Sequence, residues 1–332
     1  MGPASENPGK WFAGRMREET MNVAETGERM TWARKPPNLW QRMWRNRIAY
    51  LFLVPMFALL LTFQYWPFLL AIFRSFFIWD GYGITIFVGF DNYVEILQDP
   101  IFWKSIRVVL IMMAFNLTLP LLGPIVSAEL IYNLHSDRMK HFWRVIMILP
   151  SIVPGMVGIL LWGYIYNPYN GFLNTALKLF GLPTQTWLAD PKLALPSVLF
   201  VGFPWMGGTW MLVYLAGLLN ISPEVIDASI VDGCGVLRRI VAIDLPLLLG
   251  QIKLSVILTC MGTLQGFVGV LVLTDGGPFF ATMVPGLYLF RHAFSRSRLG
   301  YASAVGVIMF LIILALTFIN NRYVKSSLEY EG

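Results

Sequence analysis

Six stretches of this 332-residue chain are long and apolar enough to cross a bilayer as helices: residues 48–72, 106–132, 143–166, 193–219, 248–273 and 299–320. A helical crossing needs about 20 predominantly apolar residues. Hydrocarbon offers no partner to a backbone N–H or C=O, so each segment must satisfy its own, and helix is the form that does so. The expected fold is therefore an all-α integral membrane protein with six transmembrane helices. Composition agrees, since 13% of residues are charged and 15% aromatic, whereas soluble domains carry about 25% charged residues.

Other classes fall away on residue chemistry. Cys234 sits in a polar loop and Cys260 in an apolar stretch, which is no disulfide framework. His135, His141 and His292 show no metal-ligand spacing, and no stretch gathers the His and carboxylates that a membrane-embedded enzyme needs. Proton-coupled transport calls for carboxylates within the spans. Only Glu129 qualifies, near a span end where it and Arg107 either snorkel or pair. No internal repeat marks a transporter built from inverted halves.

Lysine and arginine set the expected orientation. They crowd the polar tail 1–47, the 133–144 loop (Arg138, Lys140, Arg144) and the residues after the last span (Arg322, Lys325). Both termini, 1–47 and 321–332, are thus expected in the cytoplasm, and the net charge of +6 serves topology rather than nucleic acid. Loop 80–100 has four acids and no Lys or Arg; loop 167–192 has only Lys178 and Lys192. Loop 274–298 is the exception, with Arg291, Arg296 and Arg298. No cleavable signal is expected, because the tail has no early apolar core. Leu39, Trp40, Met43, Trp44 and Arg47 recur at helical spacing, which predicts an interfacial helix near 38–47.

One polar loop, 220–246, is too regular to be a connector. Ser222 suits an N-cap, Pro223 the first helical position, and Glu224 and Asp227 the positive end of a helix dipole. Gly233 suits the left-handed backbone of a helix stop. Val236, Ile240 and Ile243 then share a face, with Arg238 and Arg239 toward the other side, and Pro246 ends the second helix. The expectation is a helix–turn–helix between the fourth and fifth spans, with Glu224, Asp227, Ala228, Ser229, Asp232, Gly233, Arg238 and Arg239 available to a partner.

This stretch, EVIDASIVDGCGVLRRIVAIDLP, resembles the EAA loop of permease subunits from binding-protein-dependent ABC importers. Asp227-Ala228-Ser229, Gly233, Ile243 and Leu245-Pro246 fall at the signature's spacings, with Asp227, Ser229 and Cys234 as conservative departures. FVGFDNYVEIL, LTDGGPFFATMVPGLYLFRHAF and LGYASAVG resemble segments of the maltose-type branch, in the right order. The resemblance covers 50–320. It implies a transport subunit in a bacterial cytoplasmic membrane, with the 220–246 loop seated in a groove of a cytoplasmic ATPase and alternating access driven by ATP.

The chain lacks a Gly-x-x-x-x-Gly-Lys-Ser/Thr loop, so it is not expected to be an enzyme or to hold a cofactor or metal itself. ATP and Mg would belong to two partner ATPase subunits. A second permease subunit (a different chain) and an extracytoplasmic binding protein complete the implied assembly. A sugar or oligosaccharide is the implied cargo, with aromatic rings and buried amides as its expected contacts: Asn116, Trp162, Trp205, Trp210, Tyr214 and Gln265. Arg291, Arg296 and Arg298 suggest, more narrowly, an acidic uronate-type oligosaccharide such as alginate. The competing readings are a permease for another small solute and a secondary transporter or channel.

Overall fold

Proline marks several helix starts and one sharp bend in this chain, while Pro55 and Pro124 lie inside helices. The computed structural model describes residues 47–204 and 207–323. The expectations for 1–46 and 324–332, including most of the interfacial helix near 38–47, lie outside the described residues.

The first described segment is α1 (Arg47–Leu60), which runs through a π-helical turn (Leu61–Tyr65) into α2 (Trp66–Arg74). Tyr50–Arg74 forms 25 residues of helix, long and apolar enough to cross a membrane.

From Pro67 onward the chain forms a second unit, and its first feature departs from the all-α expectation. Strands β1 (Phe77–Trp79) and β2 (Thr85–Phe87) pair antiparallel, Ile78 opposite Ile86. The hairpin forms because β-favouring Phe-Ile-Trp and Thr-Ile-Phe flank a turn that Asp80 organises. One Asp80 oxygen accepts the N–H groups of Tyr82, Gly83 and Ile84 at 2.9, 3.0 and 3.2 Å.

Beyond it lie α3 (Asp91–Gln98), α4 (Pro100–Asn116) and α5 (Leu119–Tyr132). Asp99 caps α4 by accepting the Ile101 N–H at 2.7 Å, with Pro100 in the first turn. Next, α6 (Asp137–Ile148) passes through a 3-10 turn (Leu149–Ile152). Val153 is extended at ψ 125°, the conformation that a following proline favours. After Pro154, α7 (Gly155–Ile165) leaves at 87°. Short helices α8 (Phe172–Leu179) and α9 (Ala194–Leu199) precede α10 (Gly208–Leu219). A Cβ on Gly208 would overlap the Met147 carbonyl oxygen, so only glycine lets α10 pass this close to the end of α6.

The loop helices are α11 (Pro223–Val231), α12 (Val236–Arg239), a π-helical turn (Ile240–Asp244) and α13 (Leu245–Leu247). They lead into α14 (Leu249–Gln265), α15 (Val268–Leu273), α16 (Pro285–Phe290) and α17 (Leu299–Tyr323).

The six expected spans are therefore not six continuous rods. Three helices qualify alone, at Tyr50–Arg74, Pro100–Tyr132 and Leu299–Arg322. The others are helix pairs bent by 87°, 74° and 68°. In the stretch 193–219 the described residues form α9 and α10 as helix, with Pro204 and the Gly207-Gly208 pair between them.

Two buried clusters hold the second unit together. One joins α4, α14, α16 and α17 around Phe102, Val109, Leu264, Leu287 and Val305; the other joins α5 to α10 around Ala128, Met211, Tyr214 and Leu218. Beside the first cluster is a polar knot. The Tyr288 hydroxyl donates to an Asp99 oxygen at 2.6 Å and lies 2.6 Å from the Tyr301 hydroxyl. His292, 4% exposed, stacks on Tyr301 with ring centres 4.6 Å apart. Arg298 covers the Tyr301 ring at 4.3 Å and pairs with Glu95.

Burial, reinforced by Arg296 and Arg298, holds the His292 imidazole down at about 4. In the unfolded chain it would titrate near 6.5. Between those values the unfolded state binds the extra proton, so stability is full above about 6.5 and falls as pH drops toward 4. Thermal unfolding of the purified protein should show that loss, and His292→Gln should flatten it over the same window.

Candidate functional site

The sharp backbone turn in the 220–246 loop is made by a closed set of main-chain hydrogen bonds. Gly233 has φ +69°. Its N–H donates to the Ile230 carbonyl at 3.0 Å, and the Cys234 N–H donates to the Ser229 carbonyl at 2.9 Å. That paired closure satisfies the last carbonyls of α11 and fixes the direction of exit. At the other end Ser222 occupies the N-cap position without capping an N–H through its side chain. The Glu224 carboxyl is held below its usual value first by its own N–H and then by the Ser222 hydroxyl. The hairpin stands steeply off its neighbours: α11 makes 74° with α10, and the segment Val236–Leu247 makes 68° with α14.

Its outer face mixes charge and oil. Glu224, Asp227, Ala228, Asp232, Gly233 and Arg238 are exposed. Around them Val231 is 87% exposed and Leu237 81%. Two residues expected on this face are elsewhere. Ser229 is buried, its hydroxyl donating to the Ile226 carbonyl at 2.7 Å. Arg239 points inward, because the wide π-helical turn brings Asp244, five residues on, beneath it.

Arg239 is the pin between this loop and α5. Its Nε donates to Asp244 Oδ2 at 3.0 Å and its Nη2 to Asn133 Oδ1 at 2.6 Å, while its guanidinium lies 5.6 Å from the Tyr132 ring centre. Asn133 in turn donates to the Glu129 carbonyl at 2.8 Å. Asp244 is fully buried and Glu129 nearly so. Sequence reasoning noted Glu129 as a residue that could pair, but missed Asn133 and Asp244. The available signal was the Arg239–Asp244 spacing, which faces only in a π-helical turn.

A second feature lies where α14 gives way to α15. Gly266 is extended at ψ 124°, and the break leaves a cavity of about 540 Å³ lined by Asn116, Thr263, Gln265, Phe267 and Gly269 among others. Asn116 Nδ2 donates to Thr263 Oγ1 at 2.9 Å. Two of the amides expected on a pathway, Asn116 and Gln265, thus share one cavity. The expected aromatic residues do not line it. Tyr214 is fully buried and donates to Ser255 Oγ at 2.5 Å, with Trp210 stacked on it. Trp162 packs on the buried Tyr166, whose hydroxyl donates to the Ser197 carbonyl. Trp205 lies outside the described residues.

The three arginines of 274–298 are also engaged. Arg291 pairs with Asp275 at 2.7 Å, Arg298 pairs with Glu95, and Arg296 lies 3.2 Å from His292 Nε2. Among the described residues no group of three or more His, Cys, Asp or Glu is placed to hold a metal.

A steep helical hairpin thus stands beside bent, membrane-length helices, and a largely apolar cavity carrying two amides opens at the α14–α15 break. Residues 121–329 match the family described as the binding-protein-dependent transport system inner membrane component, and the chain belongs to that family. It is 33% identical over 281 residues to the diacetylchitobiose uptake system permease protein NgcF of Streptomyces coelicolor, covering 80% of this chain and 79% of that protein. It is 29% identical over 319 residues to the sulfoquinovosyl glycerol transport system permease protein SmoG of Agrobacterium fabrum, covering 94% and 99%. The fold is that of a chain in the crystal structure of a bacterial alginate ABC transporter in complex with alginate pentasaccharide-bound periplasmic protein: TM-score 0.77, 23% identity, 87% of this chain and 99% of that one.

Arg239→Gln would leave Asp244 buried without its cation, a change that costs about 3–5 kcal/mol when a buried pair loses one partner. It should lower the unfolding temperature of the detergent-solubilised chain. Adding Asp244→Asn should restore part of the loss, and a double-mutant cycle would read the coupling directly.

Proposed function

We propose that this permease subunit carries a sugar or oligosaccharide across a bacterial cytoplasmic membrane by alternating access, driven by ATPase subunits that grip the 220–246 hairpin. The observation that carries this reading is the hairpin's construction. Its turn is closed by main-chain hydrogen bonds, its base is pinned to α5 through Arg239, and its outer face offers acids beside exposed Val231 and Leu237. Such an element transmits a displacement instead of absorbing it.

The proposed assembly holds a second, different permease chain, two ATPase subunits that bind ATP and Mg, and an extracytoplasmic binding protein. The proposed layout has six spans within residues 48–320, of which α7, α10 and α14 are the crossing parts of the third, fourth and fifth. The tails 1–47 and 321–332 and the hairpin α11–α13 face the cytoplasm. The carbohydrate reading draws on the cargo named for NgcF and SmoG, and on amides and an aromatic ring around the α14–α15 break that suit hydroxyls and sugar faces. A narrower reading, an acidic uronate-type oligosaccharide, draws on the alginate carried by the transporter whose fold this chain shares and, among the loop's arginines, on Arg296. It is exposed and faces no carboxylate among the described residues, whereas Arg291 and Arg298 are neutralised.

Gly233→Val tests the loop. A Cβ there meets nothing within 4 Å, so the cost is in the backbone, roughly 1–3 kcal/mol at a positive φ. In the reconstituted transporter, Gly233→Val and Asp227→Lys should insert normally but lose ATP hydrolysis stimulated by sugar-loaded binding protein. Wild-type stimulation in both would sink the coupling role. The same assay with uronate oligomers and with maltodextrin separates the acidic from the neutral reading.

Orientation has its own test. Tyr82, 98% exposed at the hairpin tip, should react as Tyr82→Cys with an impermeant thiol reagent in intact cells, while native Cys234 should not. Labelling of Cys234 without permeabilisation would overturn the layout.

A further inference from the structure

Helix α6 carries a pattern that transport leaves unexplained. On a helical wheel Phe142, Ile146, Met139 and Trp143 form one stripe, flanked by Arg138 and His141 on one side and by Lys140 and Arg144 on the other. Met139 is 43% exposed, Phe142 51% and Trp143 37%, so the stripe faces out of the chain. No ion pair among the described residues engages Arg138, Lys140 or Arg144, and Arg144 Nε is buried without a partner. The helix packs on α5 and α10 and stands at 87° to α7 across the break at Pro154.

We infer that α6 lies in the plane of the membrane surface and binds the headgroups of anionic phospholipids. An aromatic stripe bordered by cations on both sides sinks its rings to the acyl boundary and holds its charges at the level of the phosphates. The charge complement is specific. Among the described residues these cations form no ion pair, and a zwitterionic headgroup would leave them uncompensated. A protein partner is the less suited occupant, since indole and phenyl rings standing proud beside unpaired cations match the lipid boundary. The inference rests on the membrane location of the chain and not on its cargo or orientation, so its failure would leave the transport reading untouched.

The test uses the assembled transporter, extracted from vesicles of equal phosphatidylglycerol and phosphatidylcholine, with retained lipid counted by native mass spectrometry. Each cation near a charged surface is worth about fivefold in anionic lipid binding. Arg138→Gln with Lys140→Gln should therefore reduce the preference for phosphatidylglycerol roughly 25-fold at this site. Arg138→Lys with Lys140→Arg should keep it. Lys178→Gln with Lys192→Gln, which removes two exposed cations elsewhere, should change it little. The inference is overturned if the Arg138/Lys140 glutamine variant retains wild-type preference, or if the Lys178/Lys192 variant loses as much. It is equally overturned if the Arg138/Lys140 glutamine variant keeps its lipid but sheds a partner subunit, which would mark this face as a protein interface.

Discussion

Hydrocarbon gives an unpaired peptide group nothing to bond to, and the rest of this structure follows from how the chain meets that demand. Where it runs unbroken, as in α17, each N–H finds its carbonyl four residues back and the segment needs little else. Where proline or glycine interrupts the ladder, the freed groups need other partners or water. The breaks at Gly207 and Gly266 are packed against other parts of the same fold, α10 against the end of α6 and the Gly266 break facing the Asn116–Thr263 pair, whereas residues 149–157 around Pro154 are exposed on this chain.

Polar side chains are organised by the same scarcity. Arg239, Asp244, Asn133 and Glu129 share few solvent contacts, so their geometry is set by one another, and the same holds for Asp99, Tyr288, Tyr301 and His292. Each group fastens elements distant in sequence: the first ties the hairpin to α5, the second ties the start of α4 to α16 and α17. Packing between apolar helices in lipid has no hydrophobic drive of its own. These knots contribute the specificity that oil against oil lacks.

Much of the fold was legible in the sequence because its cues act locally. The apolar stretches, the left-handed turn at Gly233 and the Pro223 start of α11 were readable from residue type and spacing alone. The hairpin at Phe77–Phe87 was not, because its strands are three residues each and sit in a segment too short to show alternation. The inward turn of Arg239 was illegible for another reason. A period of 3.6 places it on the outer face, and only the π-helical turn, set by tertiary contacts, rotates it under. In the candidate site, Asn116 and Gln265 were singled out because an amide is conspicuous among apolar residues, and both line the cavity at the α14–α15 break. Tyr214 misled for the converse reason: an aromatic residue with a hydroxyl looks the same in sequence whether it faces a pathway or closes a core.

The shortness of α7 has an electrical consequence. Eleven residues of helix rise about 16 Å, roughly half of a 30 Å hydrocarbon layer. The polar ends of a helix that short cannot both sit in headgroups, so one of them takes its partners within the layer, from the protein or from water. A membrane potential falls mainly across low-dielectric thickness. Where water is that partner, the field beside α7 is compressed into a thinner slab than elsewhere around the protein, and a permeant that carries charge would feel most of the voltage over that short distance.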